Sequence, residues 1–231
     1  MTPVYHYDLE QRSDEWHRIR SGLFTGSDAH FLMIREPSEP KAKKGAKNPV
    51  KRPETFQTKY GLGKGAETAI YLKCAQLLSN FEPYEFDKYE LRIGREREPE
   101  AIERYEDLIF PESVTACGFV TAGNYLGVSP DGLVGKDGGV EVKCLQPPAY
   151  LEYLINRNID PKHLAQVHWC MFITGRKWWD YVMFNPDFGG HPIDVTRIHR
   201  DEKLMELFSR KAAAIEIAMT ELLFKYENLS A

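Results

Sequence analysis

A chain of 231 residues with 42% apolar and 28% charged side chains can bury one sizeable core, and its length suits a single domain over 1–231 better than two equal ones. No run approaches the roughly 20 apolar residues that span a bilayer, and the N-terminus lacks a basic-then-apolar signal, which points away from membrane-spanning and exported classes and towards the cytoplasm. The four cysteines, Cys74, Cys117, Cys144 and Cys170, form no close pair and have apolar neighbours, so they read as reduced thiols instead of a disulfide frame or zinc site.

In chain order, Ser13 to Ser21 opens with capping-type residues and sets Trp16, Ile19 and Arg20 at helical spacing, predicting a short helix that ends near Gly22. Thr25-Gly26-Ser27-Asp28 reads as the N-terminal edge of a second helix through Ala29 to Ile34, where exposed amides would favour an anion. A Pro- and Lys-rich loop follows from about 35 to 53. Within it, Lys41 to Arg52 holds six basic residues and no acidic ones, leaving −10 on the rest of a chain whose net charge is −4. Cations concentrated in this way can hold DNA on an acidic protein, although a solvated lysine loop has the same composition.

Helical spacing returns at Gly65 to Ser79 and at Arg95 to Ile109, where Ile102, Tyr105 and Ile109 form one stripe that also carries Glu98. Strand-like runs then occupy Ser113 to Ala122, Tyr125 to Val134, Val140 to Leu145 and Lys177 to Phe184, separated by turn signals. Trp178 and Trp179 in the last run could stack on bases, but in a dense apolar strand they read as core. Asp201 to Tyr226 keeps Leu204, Phe208, Ile215, Met219 and Leu222 on one face of a long amphipathic helix. Strands flanked by helices predict an α/β (α+β) fold with a mixed central sheet.

The chemistry centres on Gly139-Val140-Glu141-Val142-Lys143-Cys144. Alternation puts Val140, Val142 and Cys144 on one strand face while Glu141 and Lys143 share the other. Alone, that pattern is common on exposed strands. Ten residues upstream, Ser129-Pro130-Asp131-Gly132 turns a carboxylate outward, and a hairpin closed by Lys136-Asp137-Gly138-Gly139 would bring Asp131 and Glu141 together. With Glu98, up to three acids would share one cleft with a lysine. Desolvating unpaired carboxylates costs several kcal/mol each, so such a cluster raises its pKa values or recruits a hard cation. Oxygen-only ligation favours magnesium or manganese, which would activate water and neutralise a scissile phosphate while Lys143 positions the nucleophile or stabilises charge.

The order proline, aspartate, spacer, Glu-x-Lys resembles the PD-(D/E)XK nuclease superfamily, and the whole chain resembles the lambda-type alkaline exonucleases, the YqaJ-like viral recombinase nucleases. The segments that carry the resemblance are Trp16 to Gly22, Gly94 to Glu98, Ser129 to Gly132, Glu141 to Cys144 and Ala165-Gln166-Val167. It implies a magnesium-dependent 5′-to-3′ exonuclease on ends of double-stranded DNA, with manganese as substitute. Such enzymes are often ring-shaped homotrimers working with a single-strand annealing protein, in a phage or prophage setting. By matching position, Asp131 and Glu141 would ligate the metal, Glu98 would sit beside it, and Lys143 and Gln166 would position water or phosphate. Arg20, Ser27 and Ser129 match a pocket for the terminal 5′-phosphate, and an arginine fork with hydroxyls suits that anion. The family pattern places Tyr three residues before the Gln and Gln two residues after it; here stand His163 and His168, which could touch DNA but read better as packing on a helix. Two rivals share parts of the pattern: a PD-(D/E)XK endonuclease or RecB-like nuclease, and a non-catalytic DNA-end-binding subunit of a recombination complex.

Overall fold

Residues 1–33, 54–79, 89–109 and 111–229 are described by the structure, a computed structural model. The basic segment 41–52 and Ile34 lie outside the described residues. Five strands form one mixed sheet in the order β2 (Val114–Thr115), β5 (Gly132–Val134), β6 (Gly138–Cys144), β7 (Trp178–Phe184), β8 (Ile193–His199). Only β6 and β7 run parallel; the other neighbours are antiparallel. A second, antiparallel sheet has the order β1 (Val4–His6), β3 (Phe119–Ala122), β4 (Leu126–Val128). The expected α/β (α+β) class and helix-flanked mixed sheet are what the chain adopts.

A parallel pair cannot be closed by a tight turn. Helices α5 (Pro147–Asn156) and α6 (Pro161–Thr174) make the crossover between β6 and β7. The face of β6 bearing Val140 and Val142 packs with Val182 and Phe184 against Ala101 and Tyr105 of α4 (Tyr89–Ile109). On the opposite face, Trp179, Tyr181 and Met183 join the larger core with α6, with α3 (Lys64–Leu78) and with Met205, Phe208, Ala212 and Ile215 of α7 (Glu202–Glu227). The described residues also form the α-helices α1 (Asp14–Arg20), capped by Ser13 Oγ, and α2 (Phe56–Tyr60).

The structure splits two of the expected strands: Ser113 to Ala122 contains β2 and β3, and Tyr125 to Val134 contains β4 and β5. In each case the first piece joins one sheet and the second the other, so the break falls where the chain changes sheets. The helix expected from Thr25 is a 3₁₀ helix over Gly26–Leu32, and its first turn is closed by a capping box. Asp28 Oδ2 already accepts from Thr25 N at 2.9 Å and Thr25 Oγ1 at 3.1 Å. Trp179 is fully buried, and Trp178 is half-buried under the Arg197 guanidinium, 3.7 Å from its ring centroid. Both therefore belong to packing. The four cysteines are free, and among the described residues no helix is long and apolar enough to cross a membrane.

Gly139 lies opposite Trp179 in the parallel register, and a Cβ there would come within 2.4 Å of the indole. Gly139→Ala should therefore force β6 and β7 apart and destabilise the fold by about 1–3 kcal/mol, measured by denaturant unfolding. An unchanged midpoint would mean that the indole can give way.

Candidate active site

Continuing the β5–β6 register of Gly132 with Val140 by one residue sets Asp131 opposite Glu141. The Val142 N–H donates to Asp131 Oδ2 at 2.7 Å, pinning that carboxylate over β6. Glu141 is 1% exposed, and its Oε1 accepts from Lys143 Nζ at 2.5 Å and from Gln166 Nε2 of α6 at 2.6 Å. Its other oxygen, Oε2, is buried without a partner. Four predicted residues, three from the β5–β6 hairpin and Gln166 from α6, thus meet on one face of the sheet.

Burial pushes the Asp131 carboxyl well above the usual carboxylate range, and the charges of Glu141 and Glu98 push the same way against Lys143 and the Val142 N–H. Burial works against the Lys143 charge, but Glu141 and Asp131 outweigh it and hold the ammonium protonated above its ordinary range. Glu98 approaches from α4, on the other side of β6, close enough to act on Asp131. Its Oε2 accepts from Arg12 Nη2 at 2.9 Å. Arg12 was not singled out from sequence; it reaches Glu98 from a backbone at φ 69°, unusual for a residue with a side chain.

Among the described residues no group of three or more His, Cys, Asp or Glu side chains is gathered tightly enough to hold a metal unaided. The donors present nevertheless suit a hard cation. A buried, unpartnered carboxylate oxygen beside a second carboxylate offers one or two protein ligands, the number magnesium commonly takes while keeping water and substrate phosphate in its remaining positions.

Arg20, Ser27 and Ser129 also come together, joined by Trp16. Arg20 Nη2 donates to Ser27 Oγ at 3.4 Å and its guanidinium lies 4.9 Å from the Trp16 ring centroid. The Trp16 indole N–H reaches Ser129 Oγ at 3.1 Å, while Ser129 itself donates to the Gly118 carbonyl at 2.8 Å. Ser129 thus uses its only proton internally, and so does Ser27, whose Oγ lies 3.0 Å from a Thr25 Oγ1 that already donates to Asp28, so that in this arrangement Arg20 supplies the N–H donors of the trio. Gly26 ties the cluster to the acids, since a Cβ there would lie 3.1 Å from Gln166 Cγ. Lys73, buried on α3 and paired with Asp28 at 3.4 Å, adds a positive charge that acts on Arg20. A lysine in a helix carries no sequence signal for such a place.

His168 is buried, as expected of a packing residue. His163 packs too, its Nδ1 2.8 Å from the Tyr181 hydroxyl, but this contact sets it next to the acids. Tyr181 lies opposite Glu141 in the β6–β7 register. Burial, and then the neighbouring Lys143 charge, pulls His163 down to about 4, so it is neutral at physiological pH.

Comparison with known proteins makes the chain a nuclease of recombination. The chain belongs to the YqaJ-like viral recombinase family, whose domain model matches residues 15–177. It is similar to an alkaline exonuclease (LHK-Exo) from Laribacter hongkongensis, with TM-score 0.71 and 25% identity over 94% of this chain and 100% of that one. LHK-Exo in complex with dAMP aligns with TM-score 0.70, at 25% identity and the same coverage. A phage-related exonuclease from Haemophilus somnus 129PT shares the fold with TM-score 0.60 at 14% identity, over 91% of this chain and 99% of that one. No curated protein matches the chain at a significant level.

An acid whose folded pKa is raised stabilises the fold below its unfolded pKa and loses that contribution as pH rises through the folded value. In EDTA, Asp131→Asn should therefore raise the thermal midpoint by a few degrees at pH 8, and the gain should shrink towards pH 4. A gain of equal size at both pH values would show that the carboxyl ionises without penalty.

Proposed function

We propose that the chain is a magnesium-dependent exodeoxyribonuclease that digests one strand of linear duplex DNA 5′ to 3′, leaving 3′ single-stranded tails for recombination by strand annealing. The observation that carries this reading is the buried, unpartnered Glu141 Oε2 beside the strained Asp131 carboxyl, with Lys143 and Gln166 on the same face. Asp131 and Glu141 would hold the metal, magnesium or in its place manganese, with Glu98 beside it. When bound, that ion lowers the pKa of a water and neutralises charge on the scissile phosphate.

The chain's own residues supply the rest. Lys143, held protonated, presents its ammonium to the attacking water or to charge developing on phosphate. Gln166 fixes the Glu141 carboxylate through Oε1, so that Oε2 keeps one direction. Arg20 and Ser27, brought towards Gln166 by the close approach of Gly26 to its side chain, would receive the terminal 5′-phosphate, and this is what favours an end-digesting enzyme over an endonuclease. The active species is proposed to be a ring-shaped homotrimer, partnered by a single-strand annealing protein, in a phage or prophage setting.

Digestion of a linear duplex labelled separately at each 5′ and 3′ end, with and without magnesium, tests activity and polarity together. Linear DNA with a 5′-phosphate should be degraded while a covalently closed circle survives; prompt cutting of the circle would reassign the chain to the endonucleases. Asp131→Ala should lower digestion by about 10³-fold or more, the scale of a lost metal ligand or transition-state contact, while end binding in calcium persists. Retained digestion would remove the metal role. Arg20→Ala should erase the preference for a phosphorylated over a hydroxyl 5′ end, and a parent protein with no such preference would refute the phosphate assignment.

A further inference from the structure

Beyond the acids, a cleft of about 500 Å³ opens at the start of α6, and His163 and Tyr181 form the wall it shares with the catalytic face. Its floor is apolar and aromatic, with Tyr153, Ile159 and Met183, and Glu152 and Asp160 stand among its lining residues. Among the described residues no lysine or arginine lines it. The two carboxylates make the lining acidic, the Arg157 guanidinium 5.8 Å from the Tyr153 ring centroid is already paired with Asp194, and an apolar, aromatic floor with polar edges suits a heterocycle better than a phosphate.

The His163 hydrogen bond has a direction. The Tyr181 hydroxyl is buried, and among the described residues the His163 imidazole is the hydrogen-bond partner on which it can spend its proton. A phenol that donates to Nδ1 leaves the neutral imidazole with its proton on Nε2, on the side away from Tyr181. His163 is half-buried, and Nε2 is not among the buried polar atoms that lack a partner, so it meets solvent or the cleft.

We propose that this cleft seats the base of the nucleotide flanking the scissile phosphate, with the His163 Nε2–H as the donor that holds the base edge. The proposal rests on the nuclease reading. It makes His163 a substrate-contacting residue and gives the enzyme a grip on the strand it cuts that is separate from the phosphate contacts of Arg20 and Ser27. The grip is tolerant of base identity, because the floor offers apolar contact and only one fixed donor.

The test uses linear 5′-phosphorylated duplexes that carry one abasic tetrahydrofuran residue at successive positions of the digested strand. The parent protein should slow about tenfold in kcat/KM at one step next to the gap, the scale of losing one base contact, mostly through KM. His163→Phe, which keeps a ring against Tyr181 but has no donor, and Asn158→Trp, which fills the cleft from its exposed rim, should each digest intact DNA more slowly and lose most of that slowing. A parallel measurement in EDTA follows the fluorescence of 2-aminopurine placed at the same position, which should change on binding to the parent and not to either variant. Passage over the gap at full rate in the parent, or a penalty that persists in both variants, would overturn the proposal. If the parent digests nothing in magnesium or manganese, the nuclease reading fails by itself, while an unchanged 2-aminopurine signal on binding rejects the cleft and a variant-sensitive signal supports it.

Discussion

Two carboxylates placed side by side away from water repel each other and lose their hydration, and the fold around β6 is arranged about that constraint. Asp131 and Glu141 face each other across β5 and β6, and the groups that reach them are donors: the Val142 N–H, the Lys143 ammonium and the Gln166 amide. Even so, one Glu141 oxygen finds no partner and Asp131 stays hard to ionise. Protein donors alone leave the cluster electrostatically incomplete, and a hard cation is the chemical species that would complete it.

The scaffold keeps this imbalance from relaxing. Glycine at 139 lets the Trp179 indole press against β6, Val140 and Val142 lock the other face onto α4, and the β6–β7 pairing runs over seven residue pairs. Asp180, fixed by the Tyr105 hydroxyl at 2.7 Å and by two bonds of 2.8 Å from Arg197, ties α4, β7 and β8 into one unit. Moving Glu141 out to water would require breaking that sheet.

Much of the site was legible because it is local. Period-two alternation in Val140 to Cys144 put Glu141 and Lys143 on one face, and a proline, a glycine and a short turn located Asp131 opposite them. The long tail helix and the stripe of α4 were equally clear. What could not be read directly depends on contacts between distant segments. Helix α6 is buried nearly all round, so His-Trp-Cys-Met-Phe-Ile shows no polar face from which a helix could be told. Strand β8 mixes apolar and polar residues on both faces, with Val195 exposed and Asp194 and Thr196 half-buried, and it owes its place to pairing with β7. Arg12, Lys73 and Tyr181 sit at the site for tertiary reasons alone, and Gln166 and the phosphate trio were found through family resemblance, not through any local pattern.

The crossover through α5 and α6 has a bearing on how the molecule comes into being. The acid pair belongs to a hairpin that closes within a few residues of chain, whereas Gln166 and Tyr181 arrive only when the parallel pairing of β6 with β7 shuts a loop of more than thirty residues, a slow event for a polypeptide. A partly folded chain therefore presents two acids with neither the amide that orients Glu141 nor the wall that excludes water. Hydrolytic competence is tied to the completed fold, so nascent or damaged copies are expected to be inert towards the genome of the cell that makes them.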